Sequence, residues 1–221
     1  MSEVDLMRFY PRSQRPIDER AKRITEHHRA VARRFDREFF DGDRLYGYGG
    51  YQYHPRFWQE TVRYIRDYYR LPEESSVLDV GCAKGFMLHD FKALMPRLRV
   101  AGVDISRYAI EHAIEDMKPS LCIADAKQLP FPDRSFDLVI AINTVHNLPV
   151  EACKQAIREI QRVGRRHAFL VNDAWHTEAE RQRMLAWNLT ALTAMHVEEW
   201  KRLFADLGYT GDYAWFIAES A

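Results

Sequence analysis

Short apolar runs alternate with helix-length segments through the later part of the chain, and this alternation limits the possible folds most strongly. The runs are SVLDV (76–80), RVAGVD (99–104), LCIAD (121–125), FDLVIAI (136–142) and HAFLVND (167–173). Helical spacing covers about residues 84–95, 106–117, 150–163, 176–190 and 197–207. Unbroken apolar strands between helices are typical of a parallel sheet covered on both faces. We therefore predict an α/β, mostly parallel sheet of six to seven strands, with a short C-terminal edge strand within 213–220.

The region before Pro72 has a different pattern. Apolar residues at helical spacing predict one helix from Ile17 to about residue 40, where Asp41-Gly42-Asp43 ends it. A second helix is predicted at about 55–70, and residues 1–16, which contain Pro11 and Pro16, are predicted to be irregular. We therefore divide the chain into an N-terminal helical cap with a lid (1–71) and an α/β domain (72–221).

The composition excludes several classes of protein. Lys plus Arg and Asp plus Glu number 32 each, so the formal net charge is zero, which argues against a nucleic-acid partner. The three cysteines form neither a CxxC motif nor a metal-ligand spacing, which indicates a reduced, cytoplasmic compartment and no metal site. The N-terminus carries acidic residues rather than an apolar run, and no segment approaches the roughly 20 apolar residues of a membrane span.

The turn after the first strand reads VLDVGCAKGF (77–86), and its glycines allow close approach of a ligand to the backbone. It is GxAxG rather than the GxGxxG of dinucleotide sites, and Asp79 precedes its first glycine by two residues. A carboxylate there suits a ligand with positive charge. Asp104 ends the second strand, where an acid accepts hydrogen bonds from ribose hydroxyls, and Asp125 ends the third. The alternative is that these are ordinary strand-end acids.

As an ordered set, VLDVGCAKGF, VAGVDIS and ADAKQLPFPDRSFDLVIAINTVHNL resemble the class I S-adenosylmethionine-dependent methyltransferases, over about residues 72–173. The resemblance implies a Rossmann-like fold, S-adenosyl-L-methionine as cofactor and methyl transfer as activity. Ala83 replaces the middle glycine of the family's DxGxGxG pattern. By the family's arrangement, Asp79, Gly81 and Gly85 line the methionine part, Asp104 and Ile105 hold ribose and adenine, Asp125 and Ala126 meet the adenine edge, and Asn143 begins the substrate side.

A looser resemblance covers the two ends of the chain. The segments YGYGGYQYHPRFW, AWNLTA and EEWKRLFADLGYTGDYAWFI resemble a bacterial subgroup associated with surface-polysaccharide and small-metabolite biosynthesis. This resemblance favours a small polar or sugar-like acceptor that is methylated on oxygen or nitrogen, while the zero net charge argues against a nucleic-acid partner and the lack of an apolar span against a membrane partner. The chain departs from the family's usual seven strands, because only about a dozen residues follow the last helix. Monomer and homodimer both remain open.

Two other functional classes compete with a small-molecule methyltransferase. One is a non-catalytic S-adenosylmethionine-binding or assembly module, and the other is a dinucleotide oxidoreductase, which the GxAxG turn disfavours. Among methyltransferases, the NPPY-like turn of amino-group methylases of adenine or glutamine is replaced here by NTVH, and Cys153 lies too late to be the nucleophile of a cytosine-C5 enzyme.

Polar side chains after the fourth and fifth strands are candidates for the chemistry. A hydroxyl or ammonium acceptor must lose a proton, so a general base assists its methylation. His146, in NTVHNL, is either that base or a histidine that packs in the loop. Asp173 is a base, a substrate anchor or the cap of the next helix. His176 and Asn188 are predicted to contact the substrate, whereas Trp187 is predicted to be a core residue.

Four tyrosines and three glycines alternate in YGYGGYQYHP (46–55), directly before the α/β domain. Glycines suit neither a helix nor a strand interior, but they supply hinges for a moving loop. We predict a lid in which Tyr51 and Tyr53 contact the acceptor and exclude water. The alternative is a surface turn whose rings pack on the preceding helix.

Overall fold

A seven-stranded sheet forms the centre of the molecule in the computed structural model, which describes residues 1–11, 17–49 and 51–219. The strands are β1 (Ser76–Val80), β2 (Arg99–Asp104), β3 (Leu121–Ile123), β4 (Phe136–Ile142), β5 (Gly164–Trp175), β6 (Met195–His196) and β7 (Asp212–Phe216). Their order is β3-β2-β1-β4-β5, and both β6 and β7 pair with β5. All six pairings are parallel.

The chain order reverses beside β1, which pairs with β2 on one side and β4 on the other. In open α/β sheets, ligands bind at the carboxyl ends of the strands near such a reversal. Val80, Asp104 and Ile142 end the three strands concerned, so a ligand site is expected at this edge.

Helices cover both faces of the sheet, as predicted. They are α1 (Ile17–Ala21), α2 (Glu26–Ala32), α3 (Arg37–Asp41), α4 (Gln59–Tyr69), α5 (Phe86–Leu94), α6 (Arg107–Glu111), α7 (Val150–Val163), α8 (Glu178–Trp187) and α9 (Val197–Asp206). Helices α7 and α9 bury Ile157 and Phe204 in the core on one face, while α4 and α5 bury Ile65 and Phe91 on the other. Successive residues of β4 alternate between the two cores, because neighbouring side chains of a strand point to opposite faces.

The prediction of one continuous helix from Ile17 to about residue 40 is wrong. The segment forms α1, α2 and α3 instead, because residues suited to helix starts interrupt it. The side chain of Thr25 caps α2 and that of Asp36 caps α3, and Phe35 between them has a left-handed φ of 50°. Pro16 and the rest of 12–16 lie outside the described residues, as does Gly50.

Other boundaries also differ from the predictions. Helix α4 begins at Gln59 rather than near 55, and α6 ends at Glu111 instead of continuing to 117. The third strand ends at Ile123, so Asp125 lies in the loop that follows it. No helix within the described ranges is both long and apolar enough to cross a membrane.

The C-terminal edge strand β7 is short, as predicted, and it runs parallel to β5. The expected departure from seven strands is wrong, because the two-residue β6 completes the number. The first residues of the chain lie along it: Val4 N–H donates to the Tyr213 carbonyl (2.8 Å), and Tyr213 N–H donates to the Ser2 carbonyl (3.0 Å). The ends of the chain therefore meet at one edge of the sheet.

Candidate cofactor and acceptor site

The turn after β1 exposes its backbone because three of its residues have left-handed conformations. Gly81, Ala83 and Gly85 have φ of 84°, 48° and 80°. A Cβ atom on Gly81 would lie 2.1 Å from Thr144 Oγ1, so no larger residue fits there. Ala83, the departure from the family pattern, keeps a left-handed conformation despite its methyl group, at a modest conformational cost. The turn therefore keeps the close-approach geometry that a bound ligand requires.

Asp104 braces this turn. Its Oδ2 accepts a hydrogen bond from Ala83 N–H and its Oδ1 accepts one from Ser106 N–H, both at 2.8 Å. Burial raises the pKa of the Asp104 carboxyl, and the backbone hydrogen bonds act in the opposite direction. Each carboxylate oxygen can accept a further hydrogen bond. Asp104 thus holds the turn and can still accept hydrogen bonds from the ribose hydroxyls of a ligand.

Asp79 is a second buried acid on the same side, with an exposed fraction of 5%. Burial, and then the charge of Asp104, raises the pKa of Asp79 to about 8. None of the basic side chains in the described residues pairs with it within 4.0 Å. A positively charged group placed beside Asp79 would restore its ionised form.

The neighbouring positions suit a nucleoside. Ile105 follows Asp104 and is 56% exposed, which offers an apolar surface next to the acid. Asp125 Oδ1 accepts a hydrogen bond from Lys127 N–H (2.9 Å), and its Oδ2 lies 3.2 Å from Lys127 Nζ. Ala126 is partly buried against the core. The described residues around the glycine turn therefore fit S-adenosylmethionine, with acids at its polar ends and an apolar surface between them.

His146 and Asp173 come together on the other side, after β4 and within β5. Both are buried, with exposed fractions of 3% and 6%. Asp173 N–H donates to His146 Nδ1 (2.9 Å), and His146 Nε2 lies 3.7 Å from Asp173 Oδ1. Burial lowers the pKa of His146 below its ordinary value, although the charge of Asp173 acts to raise it. The ring is therefore neutral at neutral pH. Because Nδ1 accepts a hydrogen bond, the proton of the neutral ring is on Nε2.

A segment after α8 closes this side. Leu192 N–H and Thr193 N–H both donate to the His146 carbonyl (3.0 and 2.9 Å). The Asn188 side chain is used locally, since its Oδ1 accepts from Ala191 N–H (2.7 Å) and its Nδ2 donates to the Ala191 carbonyl (2.9 Å). Asn188 therefore shapes this segment. Asn143, with a φ of 53°, is exposed at the end of β4.

Residues 17–49 and 51–54, hereafter the covering segment, lie over both sides. Phe39 and Phe40 form a small apolar cluster that includes Ala83 of the glycine turn and Leu189 on the side of His146 and Asp173, hereafter the candidate acceptor side. Tyr51 packs on both phenylalanines. Burial, followed by smaller contributions from Tyr48 and Asp104, raises the pKa of Tyr51. The Tyr51 hydroxyl is therefore protonated at neutral pH.

Tyr48, which the sequence analysis did not select, reaches the candidate acceptor side. Its hydroxyl accepts a hydrogen bond from Leu189 N–H (2.8 Å), and its ring stacks on Trp187 with centroids 5.6 Å apart. Burial, and then the charge of Asp173, raises the pKa of Tyr48. Arg20 donates to the Gly47 carbonyl (3.1 Å) and lies over both rings, which fixes Tyr48 in place. In the sequence, the position of Tyr48 between Gly47 and Gly49 is the feature that could have indicated this role.

The remaining predicted substrate contacts lie elsewhere. Tyr53 donates its hydroxyl proton to Asp90 Oδ1 of α5 (2.7 Å) and packs on His89. His176 is exposed just after β5, and its N–H donates to Glu180 Oε2 (2.6 Å). The structure therefore groups Asp79, Gly81, Gly85, Asp104 and Ile105 on one side and His146 with Asp173 on the other, while Tyr53 and His176 make contacts outside both groups.

Comparisons with known proteins identify a methyltransferase domain in this chain. Residues 77–167 match the family model described as a methyltransferase domain. A tRNA (carboxymethyluridine(34)-5-O)-methyltransferase of Arabidopsis thaliana is 33% identical over 145 residues, which cover 65% of this chain and 33% of that protein. A malonyl-[acyl-carrier protein] O-methyltransferase of Legionella pneumophila is 29% identical over 140 residues, covering 62% and 47%. The chain thus spans a third to about half of the length of these relatives.

A solved structure shares the fold. The crystal structure of a SAM-dependent methyltransferase from Aquifex aeolicus superposes with a TM-score of 0.51 at 18% identity, over 66% of this chain and 78% of that one. At this level of identity the likeness concerns the fold alone.

Proposed function

We propose that this chain, which carries a class I S-adenosylmethionine-dependent methyltransferase domain, methylates an oxygen or nitrogen atom of a small polar acceptor. The observation that carries the proposal is a pair of adjoining groups of buried side chains, hereafter the half-sites, at the carboxyl ends of β1, β2, β4 and β5. Strands β1 and β4 are hydrogen-bonded neighbours, so the acidic side with Asp79 and Asp104 adjoins the side with His146 and Asp173. A transfer between two bound molecules needs such adjoining sites.

The acidic side holds the cofactor in this proposal. When bound, S-adenosylmethionine supplies the methyl group of its sulfonium. Transfer of that methyl group leaves a neutral thioether. Asp79 pairs with the positive charge of the methionine part, and Asp104 accepts hydrogen bonds from ribose. The other cofactor contacts come from Gly81 and Gly85 at the methionine part, Ile105, Asp125 and Ala126 at the adenine, and Asn143 at the border with the acceptor.

The other side holds the acceptor. His146 presents Nε2–H as a hydrogen-bond donor, because its Nδ1 already accepts from Asp173 N–H. A donor orients an acceptor oxygen but removes no proton, so this tautomer disfavours His146 as general base and leaves Asp173 as the better candidate. Tyr48 and Tyr51 extend over this region from the covering segment and exclude water.

The acceptor is a small polar or sugar-like molecule rather than a nucleic acid. The balanced charge of the chain supports this, since proteins that grip phosphate backbones are more often basic. The covering segment also packs on both half-sites, which leaves less room for a large partner. The names of both relatives specify methylation on oxygen, which supports oxygen as the methylated atom. One of those names specifies tRNA, so tRNA belongs in the test.

The competing function is binding of S-adenosylmethionine without catalysis. A binding module needs the acidic side but has no use for a buried histidine and carboxylate beside it. The contact between His146 and Asp173 N–H therefore favours catalysis.

Two measurements test the proposal. Calorimetry with S-adenosylmethionine, S-adenosylhomocysteine and NAD should give binding of the two sulfur ligands alone. Methyl transfer from labelled cofactor is then measured on a panel of sugar nucleotides, hydroxylated and amino metabolites, and tRNA. NAD binding with no response to either sulfur ligand would overturn the methyltransferase function, and transfer to tRNA alone would overturn the small acceptor.

A further inference from the structure

Lys84 lies inside the glycine turn, but its side chain leaves the sheet and enters the covering segment. Its Nζ is 2.7 Å from both carboxylate oxygens of Asp41, at the end of α3, and donates to the Tyr51 carbonyl at 3.1 Å. The Lys84 side chain is 8% exposed and that of Asp41 is 29% exposed. A lysine this deeply buried is strongly destabilising without a partner, so the turn and the covering segment depend on each other.

A third element joins this ion pair. The Tyr108 hydroxyl of α6 donates to Asp41 Oδ2 at 2.8 Å. Burial acts to raise the pKa of Asp41, but the hydrogen bonds from Lys84 and Tyr108 leave it below its ordinary value, so Asp41 is ionised at neutral pH. Helix α6 begins shortly after Asp104 and Ile105. Through Lys84 and Tyr108, Asp41 therefore links the covering segment to the glycine turn and to α6, the two elements beside the expected ribose site.

The ion pair also fixes residues that reach the cofactor side. Lys84 holds the backbone of Tyr51, whose ring packs on Phe40. The residue before Lys84 donates its N–H to Asp104. If the pair is broken, the covering segment loses this polar anchor on the turn, whereas the apolar cluster that contains Ala83 remains.

We propose that Lys84 and Asp41 are positioning residues for the cofactor: their ion pair docks the covering segment on the glycine turn, and cofactor affinity depends on the docked fraction. The proposal rests on the proposed function, since it takes S-adenosylmethionine as the ligand. The family pattern DxGxGxG leaves the position of Lys84 unrestricted, and in this chain the charge of Lys84 is matched by Asp41.

The test compares Lys84→Met and Asp41→Asn with the wild type by calorimetry with S-adenosylhomocysteine. If the docked fraction falls to about a tenth, the dissociation constant rises about tenfold, because apparent affinity scales with the competent fraction. The double variant should bind no more weakly than the weaker single variant, since both remove one interaction. Lys154→Met is the matched control, because Lys154 forms an exposed pair with Glu151 on α7.

Two further readouts separate positioning from general stability. Proteolytic cleavage within residues 42–54 should be faster in Lys84→Met with the ligand present. In the activity assay, the cofactor KM should rise while kcat changes little. If Lys84→Met does not fold, Tyr108→Phe weakens the same cluster by one hydrogen bond and should raise the dissociation constant by a smaller factor.

The outcomes are distinct. Wild-type protein that binds neither sulfur ligand overturns the proposed function and the positioning role together. Wild-type protein that binds, with equal affinity and equal cleavage in Lys84→Met and Asp41→Asn, overturns the positioning role alone.

Discussion

The proposed cofactor side and the proposed acceptor side of the site are built in different ways. On the cofactor side, Asp79, Gly81 and Asp104 lie within one stretch of two strands, and backbone N–H groups hold Asp104. On the acceptor side, His146 accepts a hydrogen bond from Asp173 N–H, and Tyr48 accepts one from Leu189 N–H. The partners of each hydrogen bond lie far apart in the chain. A turn fixed by backbone geometry can be recognised in a short motif, whereas a pocket made of distant side chains exists only after folding.

The two sides also treat charge differently. The cofactor side collects two buried acids, and the pKa of Asp79 is raised to about 8. The acceptor side keeps a neutral histidine, whose pKa burial lowers. The first arrangement is suited to a cationic ligand and the second to a neutral polar acceptor. The following predictions test this contrast, in order of decreasing effect.

Asp104→Ala should weaken binding of S-adenosylhomocysteine about a hundredfold or more. The reason is the loss of two hydrogen bonds from ribose to a charged group, each contributing about 1.5–3 kcal/mol. The substitution also leaves the N–H groups of Ala83 and Ser106 without their acceptor, so we expect the free energy of unfolding to fall by about 1–3 kcal/mol. Calorimetry and chemical denaturation measure the two effects. Asp104→Asn keeps one acceptor oxygen and should lose less affinity. An unchanged dissociation constant in Asp104→Ala would mean that Asp104 only supports the turn.

His146→Gln should lower kcat about tenfold and leave cofactor affinity unchanged, because a donor that orients the acceptor is lost. A general base would contribute more, about 10²–10⁴-fold. Steady-state kinetics with calorimetry as the control separates the two roles. A loss of a thousandfold would show that His146 is the base and would contradict the tautomer assigned from its contact with Asp173 N–H.

Tyr48→Phe should raise the acceptor KM several-fold. The substitution leaves Leu189 N–H without its acceptor, a cost of about 1 kcal/mol, and loosens the segment over the acceptor side. Tyr53→Phe should instead lower stability, since its hydroxyl serves the buried Asp90. Parallel kinetics and thermal unfolding of the two variants make the comparison. A larger KM effect in Tyr53→Phe would restore Tyr53 as the acceptor contact that the sequence predicted.

Binding of S-adenosylmethionine at pH 7 should release somewhat less than one proton from Asp79. With a pKa of about 8, this carboxyl is mostly protonated at pH 7 before binding, and a cationic ligand favours its ionised form. Binding enthalpies in two buffers of different ionisation enthalpy measure the release. Asp79→Asn is the control, and equal proton release in this variant would assign the proton to another group.

The same pKa gives the sign of a stability effect. Between about pH 4 and 8, the folded protein keeps the Asp79 proton that the unfolded chain has lost, since an unperturbed Asp has a pKa of about 3.9. The unfolded state therefore binds fewer protons, and this group lowers the stability of the ligand-free protein as pH rises through that window. Asp79→Asn should remove this part of the pH dependence.

Much of the fold could be predicted because strands buried on both faces have continuous apolar sequences. Strands β1, β2 and β4 and helix α7 begin and end at the predicted residues. The errors fall where local signals compete with periodicity. The side chains of Thr25 and Asp36 start new helices within a segment whose apolar spacing alone predicted one helix.

By itself, the sequence determined the parallel sheet, the glycine turn and the acids at the strand ends, because these depend on local patterns of burial and backbone conformation. Tertiary structure decided the rest. The tautomer of His146 follows from one N–H of β5, the role of Tyr48 from a backbone group 141 residues away, and the burial of Lys84 from an acid 43 residues earlier. Such contacts join residues whose separation in sequence carries no information about their distance in space, so no local pattern predicts them.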